Sequence, residues 1–494
     1  MAATSWCLIL AGLSSARLLA AQLPGAEEAF RRGRFAEARA GYERVLSSDS
    51  LNQRALYQLA ILDSWDGKLD RSLARFAKLR RLEPRDPDFM VAHARTLSWA
   101  RRTRDALALY DSVLARTPGR ADALAGRARV TAWSGDLDRA ERYWRAGLAL
   151  HPDDAELLVG LAQTLYWNDQ PALAEGYVTR ARRLAPGDSA AQGLERAVRA
   201  ALRPDIATSV DGGGDTDHND FIAQQATVTG WLAPALRGVV RAGWRRSTDL
   251  AGHGSSYGGA GILVAALGRR AELRAGAGVR RVSPDNAAAR TPATAEVGLG
   301  VRPGRYVALS LSYSRAPFDE TAELIRRGFM LDATELEVDI APDPRWSFSG
   351  TAGSTWLSDG NRRLDAQGGV LVRVLSGLQV GPFGRVLAYR ETPFRGYFAP
   401  NRFSVLEARI AYSWQRRGWG VRADGGLGSQ QVSDTSAHQV AWHVGLALSR
   451  GWGPNGELAL VGSITNSAGA ASTTGTRTEA FRYRALGLRF RQGL

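Results

Sequence analysis

Two hydrophobic periodicities divide the chain. From about residue 22 to residue 189, apolar positions recur at helical spacing, and the pattern repeats every 34 residues. Trp65, Trp99, Trp133 and Trp167 form one column at that step, and Pro84, Pro118, Pro152 and Pro186 another. Tyr42, Phe76, Tyr110, Trp144 and Val178 form a column of mostly large residues, and Ala60, Ala94, Ala128 and Ala162 a small one. Small residues let helices approach, large ones fill the space between repeats, and a proline ends the second helix of each unit. The pattern predicts four full helix pairs, with a partial first unit from about Ala26 to Ser50.

After Arg203-Pro204 the period becomes two and glycine rises sharply. Leu273, Ala275, Ala277 and Val279 alternate with Glu272, Arg274, Gly276, Gly278 and Arg280. Leu336, Val338 and Ile340 alternate with Glu335, Glu337 and Asp339. The alternation predicts sixteen strands, at 205–210, 221–232, 235–247, 256–268, 270–281, 293–303, 305–314, 329–340, 344–357, 362–374, 378–389, 401–413, 417–430, 437–450, 454–465 and 478–490. Tight turns such as Ala233-Pro234 and Ser376-Gly377 alternate with mostly longer polar loops at 211–220, 282–292, 315–328, 390–400 and 466–477. An even strand number with short turns on one side and longer loops on the other is the pattern of a membrane barrel. Closure satisfies every backbone group in lipid. Trp231, Trp346, Trp356, Trp419 and Trp452 lie near strand ends, where interface girdles form.

The 34-residue step with its terminal proline is the signature of tetratricopeptide repeats. The expected fold is therefore an α + β multidomain chain: an N-terminal α-solenoid of tetratricopeptide repeats, then a C-terminal antiparallel transmembrane β-barrel of about sixteen strands. The expected divisions are a signal peptide at 1–21, the solenoid at 22–189, a linker at 190–204 and the barrel at 205–494. The signal rests on the apolar run Trp6–Leu13 and the small residues before Gln22. Cys7, the only cysteine, lies inside it, so the mature chain has no thiol, which suits an oxidising periplasm.

The chain carries a net charge of +15, almost all of it from arginine, since Lys68 and Lys78 are the only lysines. A secretory signal argues against a nucleic-acid partner. No Gly-x-Ser-x-Gly elbow between a strand and a helix is present, and no His-Glu-x-x-His or phosphate-binding loop, so no catalytic residue, metal site or cofactor is expected. The acid-rich stretch Asp211–Asp220 fits no standard cation loop and reads as a solvated external loop.

Two features are candidates for function. The tryptophan column, Trp65, Trp99, Trp133 and Trp167, falls near the end of the first helix of each repeat, at a position that in this repeat family usually faces the concave groove. It either packs between repeats or offers stacking planes to a glycan. The inner face of the barrel would carry Arg237, Arg241, Arg245, Arg274, Arg280, Arg373, Arg409 and Arg422 against Glu335, Glu337 and Asp339, with Glu272, Asp365, Glu407 and Asp424. Such charges either tune what a pore passes or stabilise a polar interior.

The architecture resembles the exopolysaccharide export porins, namely the outer-membrane subunit of cellulose synthase and the poly-N-acetylglucosamine porin, and also the YaiO-type outer-membrane proteins. Gly396-Tyr397-Phe398-Ala399-Pro400-Asn401 is similar to a Gly-Tyr-(Phe/Tyr)-Ser-Pro-Gln element of the cellulose subunit, with Ala399 and Asn401 as departures. Asp319-Glu320-Thr321 through Gly328 is similar to a loop before a late strand there. The resemblance implies an outer-membrane protein whose periplasmic arm meets a polysaccharide or the biosynthetic proteins of the periplasm and inner membrane. The alternatives are a docking protein that anchors a periplasmic complex, and a nutrient-uptake porin.

Overall fold

The computed structural model describes residues 23–304, 306–343, 345–392, 396–453, 455–467 and 481–494. The expected signal peptide and Cys7 lie outside these residues. The chain divides into two compact units at Val198/Arg199.

The first unit is the solenoid. Its helices are α1 (residues 23–31), α2 (Phe35–Ser48), α3 (Gln53–Trp65), α4 (Leu69–Leu82), α5 (Pro87–Trp99), α6 (Thr103–Leu114), α7 (Ala121–Trp133), α8 (Leu137–Leu150), α9 (Ala155–Trp167), α10 (Pro171–Leu184) and α11 (Ser189–Leu202). Asn52, Asp86 and Asp154 cap α3, α5 and α9 by accepting a hydrogen bond from the backbone three residues on. The large-residue column is buried: Tyr42, Phe76, Tyr110, Trp144 and Val178 are each almost fully enclosed. The Trp144 ring lies over Gly160, where a Cβ would come within 2.3 Å of it, and Tyr110 lies over Gly126 in the same way. Residues 190–204, expected as a linker, are helical as far as Leu202. Ala191, Leu194 and Val198 form a buried stripe at helical spacing, and that stripe makes the segment a helix rather than a tether.

His93, on α5, is buried against Phe76 with ring centroids 5.6 Å apart and planes 14° apart. Burial first, then Arg80 and Arg102, lower its pKa from 6.5 to about 4. A histidine held neutral by the fold binds its proton more readily when unfolded. Its contribution is therefore complete above pH 6.5 and is lost as the pH falls from 6.5 towards 4. Between pH 7 and pH 5 the arm should lose about 2 kcal/mol from this group. Denaturation curves of the arm at the two pH values should show that loss, and His93→Leu should remove it.

The second unit is a closed antiparallel barrel in which each strand pairs with its sequence neighbours and β1 with β16. The strands are β1 (Asp205–Asp215), β2 (Asp220–Ala233), β3 (Leu236–Asp249), β4 (Gly252–Ala266), β5 (Ala271–Pro284), β6 (Ala293–Gly304), β7 (Val307–Pro317), β8 (Met330–Asp343), β9 (Trp346–Leu357), β10 (Arg362–Leu375), β11 (Leu378–Tyr389), β12 (Phe403–Arg416), β13 (Trp419–Gln431), β14 (His438–Trp452), β15 (Gly456–Thr465) and β16 (Tyr483–Gly493). A short helix, α12 (Ala322–Arg327), lies between β7 and β8.

Several expected boundaries move by a few residues, as at β4, which starts at Gly252, and two of the shifts have a visible cause. The expected loop 211–220 is mostly strand, because β1 runs to Asp215. Gly213 explains this: a Cβ there would lie 2.4 Å from the Arg484 carbonyl oxygen, so a glycine run that reads as a loop serves close pairing with β16. The turn that remains is closed by the Asp215 carboxylate, which accepts from the backbone of Asp217 and Asn219. The last strand does not end at Phe490 but continues to Gly493, pairing with β1.

Along the strands most outward residues are apolar and solvent-accessible. Val240, Leu263, Val279, Leu311, Leu406, Ile410, Leu427, Val440, Val444 and Leu486 are all exposed. A largely apolar exterior on a closed barrel is the surface that lipid calls for. Trp346, Trp356, Trp419 and Trp452 are exposed near strand ends, as a girdle requires. Trp231 is the exception. It stands opposite Arg237, whose guanidinium sits 5.5 Å from the ring, on the inner face.

Candidate functional site

The inner wall is built from the residues that alternate with the apolar exterior. Arg237 bonds Glu272 at 3.2 Å and Arg241 bonds Glu296 at 3.1 Å. Arg274 stands opposite Val264 and Gly298 on the same face. Arg241, Arg245, Arg280, Glu296 and Asp319 line an internal cavity of about 450 Å³. Arg409, Arg422, Glu407, Asp424 and His443 line a second, of about 480 Å³, and Arg373 with Arg422 and Glu457 a third, of about 530 Å³. Glu407 is buried and receives Arg409 at 3.1 Å and His443 at 3.2 Å. Arg237, Arg241, Arg280 and Arg409 are thus each matched to a carboxylate.

Glu335, Glu337 and Asp339 differ. Their cross-strand neighbours on β7 are Ser312, Ser310 and Ala308, and on β9 Gly353, Thr351 and Ser349. The stripe meets hydroxyls and small residues rather than cations.

The expected external loops 315–328 and 390–400 turn inward instead. Arg280 binds the Asp319 carboxylate, which also accepts from Ser256. Arg245 donates to the Glu320 carbonyl at 2.5 Å. Arg326 on α12 bridges Asp249 and Glu323. The Thr321 side chain caps α12 at its start, and Gly328, with φ +66°, ends it. Helix α12 packs on β3, β4 and β5, with Ile325 against Gly254.

The second loop meets the first. Phe318 and Leu324 join Leu357, Leu387, Tyr389, Tyr397, Phe398, Phe403 and Val405 in one apolar cluster. Tyr397 donates to Asp359 at 2.8 Å and accepts from Asn361 at 3.0 Å. Gly396 has φ +85°, and a Cβ there would lie 2.7 Å from Arg327 Nε. That close approach is the physical reason for glycine in the Gly-Tyr-Phe element. Apolar side chains as large as Phe318, Tyr397 and Phe398 cannot be left in water, and the barrel mouth is where they are buried. Sequence reading singled out both stretches without placing them inside the barrel.

In the arm, the first helices of neighbouring repeats contact one another: α3 with α5, α5 with α7, and α7 with α9. Each ends on one of the four tryptophans. Trp65, Trp99, Trp133 and Trp167 are 54, 39, 51 and 47% exposed, so none is a core residue. Trp65 shares its surface with Phe30, stacked at 5.8 Å, and Phe35, edge-on at 5.4 Å.

Comparison with known proteins agrees with this architecture. Residues 134–198 match the tetratricopeptide repeat family. No curated protein matches the sequence. A solved structure described as a bacterial polysaccharide outer membrane secretin is similar, with 13% identity, a TM-score of 0.50, and coverage of 59% of this chain and 99% of that one. A tetratricopeptide protein from Parabacteroides merdae is 19% identical over 37% of this chain and 72% of that one, TM-score 0.35. One from Thermus thermophilus is 23% identical over 37% and 98%, TM-score 0.33. The fold defines the class: tetratricopeptide repeats joined to a sixteen-stranded barrel of the outer-membrane kind.

Proposed function

We propose that this chain is a non-catalytic outer-membrane conduit for export of a polysaccharide, with its repeats in the periplasm receiving the polymer. The observation that carries this is the four half-exposed indoles at equivalent repeat positions, in one chain with a barrel whose inner wall is polar. Flat apolar rings at regular intervals suit the faces of successive sugars, and weak contacts along one polymer add through effective concentration. The likeness to a polysaccharide secretin supports the same reading. The orientation follows from strand parity. The chain enters β1 from the rim with the tight turns, and in such barrels that rim is periplasmic. In this reading Arg237, Arg241, Arg245, Arg274, Arg280, Arg373, Arg409, Arg422, Glu335, Glu337 and Asp339 line the path, and the inward loops close it when no polymer is passing.

The test is a titration of the full chain with candidate polymers. Replacing Trp99 and Trp133 with Ala should weaken binding roughly five- to 150-fold, at about 0.5–1.5 kcal/mol per stacking ring. Because both indoles are half exposed, the melting temperature of the arm should hardly move. A large fall in stability with no glycan affinity in the wild-type chain would reduce the column to packing.

A further inference from the structure

We infer that the outer wall of β3–β5, at the rim that holds α12, binds the phosphate of an anionic lipid headgroup. Alternation along the strands sets which side chains face lipid. Arg245 and Arg241 face inward, so Arg246 points outward with Trp244 and Val240, both exposed. Arg281 likewise shares the outer face with Val279. Cross-strand register then assembles a patch. Arg281 stands opposite Tyr257, which stands opposite Trp244, while Arg246 stands between Ile222 and Ser255.

No carboxylate occupies those opposing positions, and among the described residues neither guanidinium has an ion-pair partner. Elsewhere on the same outer face the fold supplies one: Arg315 stands opposite Asp332 and bonds it at 2.9 Å. At the opposite rim most outward strand positions are apolar or aromatic, as at Leu232, Leu273 and Trp346, with Arg416 and Arg450 on either side of Trp419.

A guanidinium fixed at the edge of an apolar wall cannot withdraw into bulk water, and Trp244 and Tyr257 hold that edge at headgroup depth. The complement of two unpaired arginines there, on β3 and β5 with β4 between them, is an anion that the leaflet itself carries. Phosphate fits best, because a guanidinium engages it with paired hydrogen bonds.

The experiment uses the full chain in phosphatidylcholine vesicles, alone or doped with a diphosphorylated glycolipid, with retained lipid counted by native mass spectrometry. The doped lipid should be retained by the wild type and lost from Arg246→Gln/Arg281→Gln by roughly thirtyfold, at about 1 kcal/mol for each arginine near the surface. Arg246→Lys/Arg281→Lys should keep part of the retention, and high salt should weaken it in the wild type. Inorganic phosphate at matched concentration should not compete strongly, since it lacks the acyl chains that hold the headgroup at this depth. Equal retention by wild type and the glutamine variant, or retention indifferent to salt, would overturn the inference. Displacement by free phosphate would assign the patch to a soluble anion instead.

Discussion

Trp144→Ala should lower the stability of the repeat arm by about 3–5 kcal/mol, the usual result of deleting a large aromatic ring from a packed interior. Trp144 is 1% exposed, and its ring covers Gly160 of the next repeat so closely that no Cβ fits beneath it. The pair is a knob and hole that joins α8 to α9. Because each repeat contacts only its neighbours, the loss should fall on the junction between these units. Urea denaturation of the arm, followed by circular dichroism, would measure it. Hydrogen exchange should place the new opening in α8–α10. Gly160→Leu alone should also destabilise, and adding it to Trp144→Ala should recover part of the loss by filling the void. A near-neutral Trp144→Ala would contradict the packing described.

The second large effect concerns the mouth of the barrel. Replacing residues 318–329 with a short Gly-Ser turn should raise single-channel conductance many-fold. That segment carries α12, and it is fastened inside the wall by Arg280 on Asp319 and Arg245 on the Glu320 carbonyl. It also supplies Phe318 and Leu324 to the cluster around Tyr397. The strands close without it, so the barrel should still fold and keep its heat-modifiable migration on gels. Asp319→Asn should produce a smaller, flickering increase, since Arg280 and Ser256 would lose their charged acceptor. Unchanged conductance after the replacement would mean that the inward loops do not limit passage.

Much of this architecture was legible in the residues, and the misses have identifiable causes. The 34-residue columns were readable because a solenoid uses the same packing position repeatedly, so Tyr42, Phe76, Tyr110 and Trp144 declare their burial together. All sixteen strands were readable from alternation, as with Glu335, Glu337 and Asp339 against Leu336, Val338 and Ile340. What failed were segments whose structure depends on distant partners. Asp319 meets Arg280 across 39 positions, and Tyr397 meets Asp359 across 38. No local period records such contacts, so both loops read as solvated. Gly212–Gly214 read as a loop from composition, whereas the strand uses glycine for close backbone approach. The stripe of Ala191, Leu194 and Val198 is short enough to pass for a linker. Trp231 was assigned to a girdle by its place at a strand end, but one step of alternation turns a side chain to the other face. Whether the tryptophan column was buried or open was undecidable from its spacing, and the exposure of all four rings resolves it towards an open surface.

The measurement that bears most directly on export is polymer assayed in the two compartments after deletion of the gene. Extracellular polysaccharide should fall sharply while material accumulates in the periplasm. The wild-type chain should restore secretion, and the Trp99→Ala/Trp133→Ala chain should restore it only in part, although it reaches the membrane at the same level. Undiminished extracellular polymer in the deletion strain would contradict export, and would leave the repeats as a docking arm on a closed barrel.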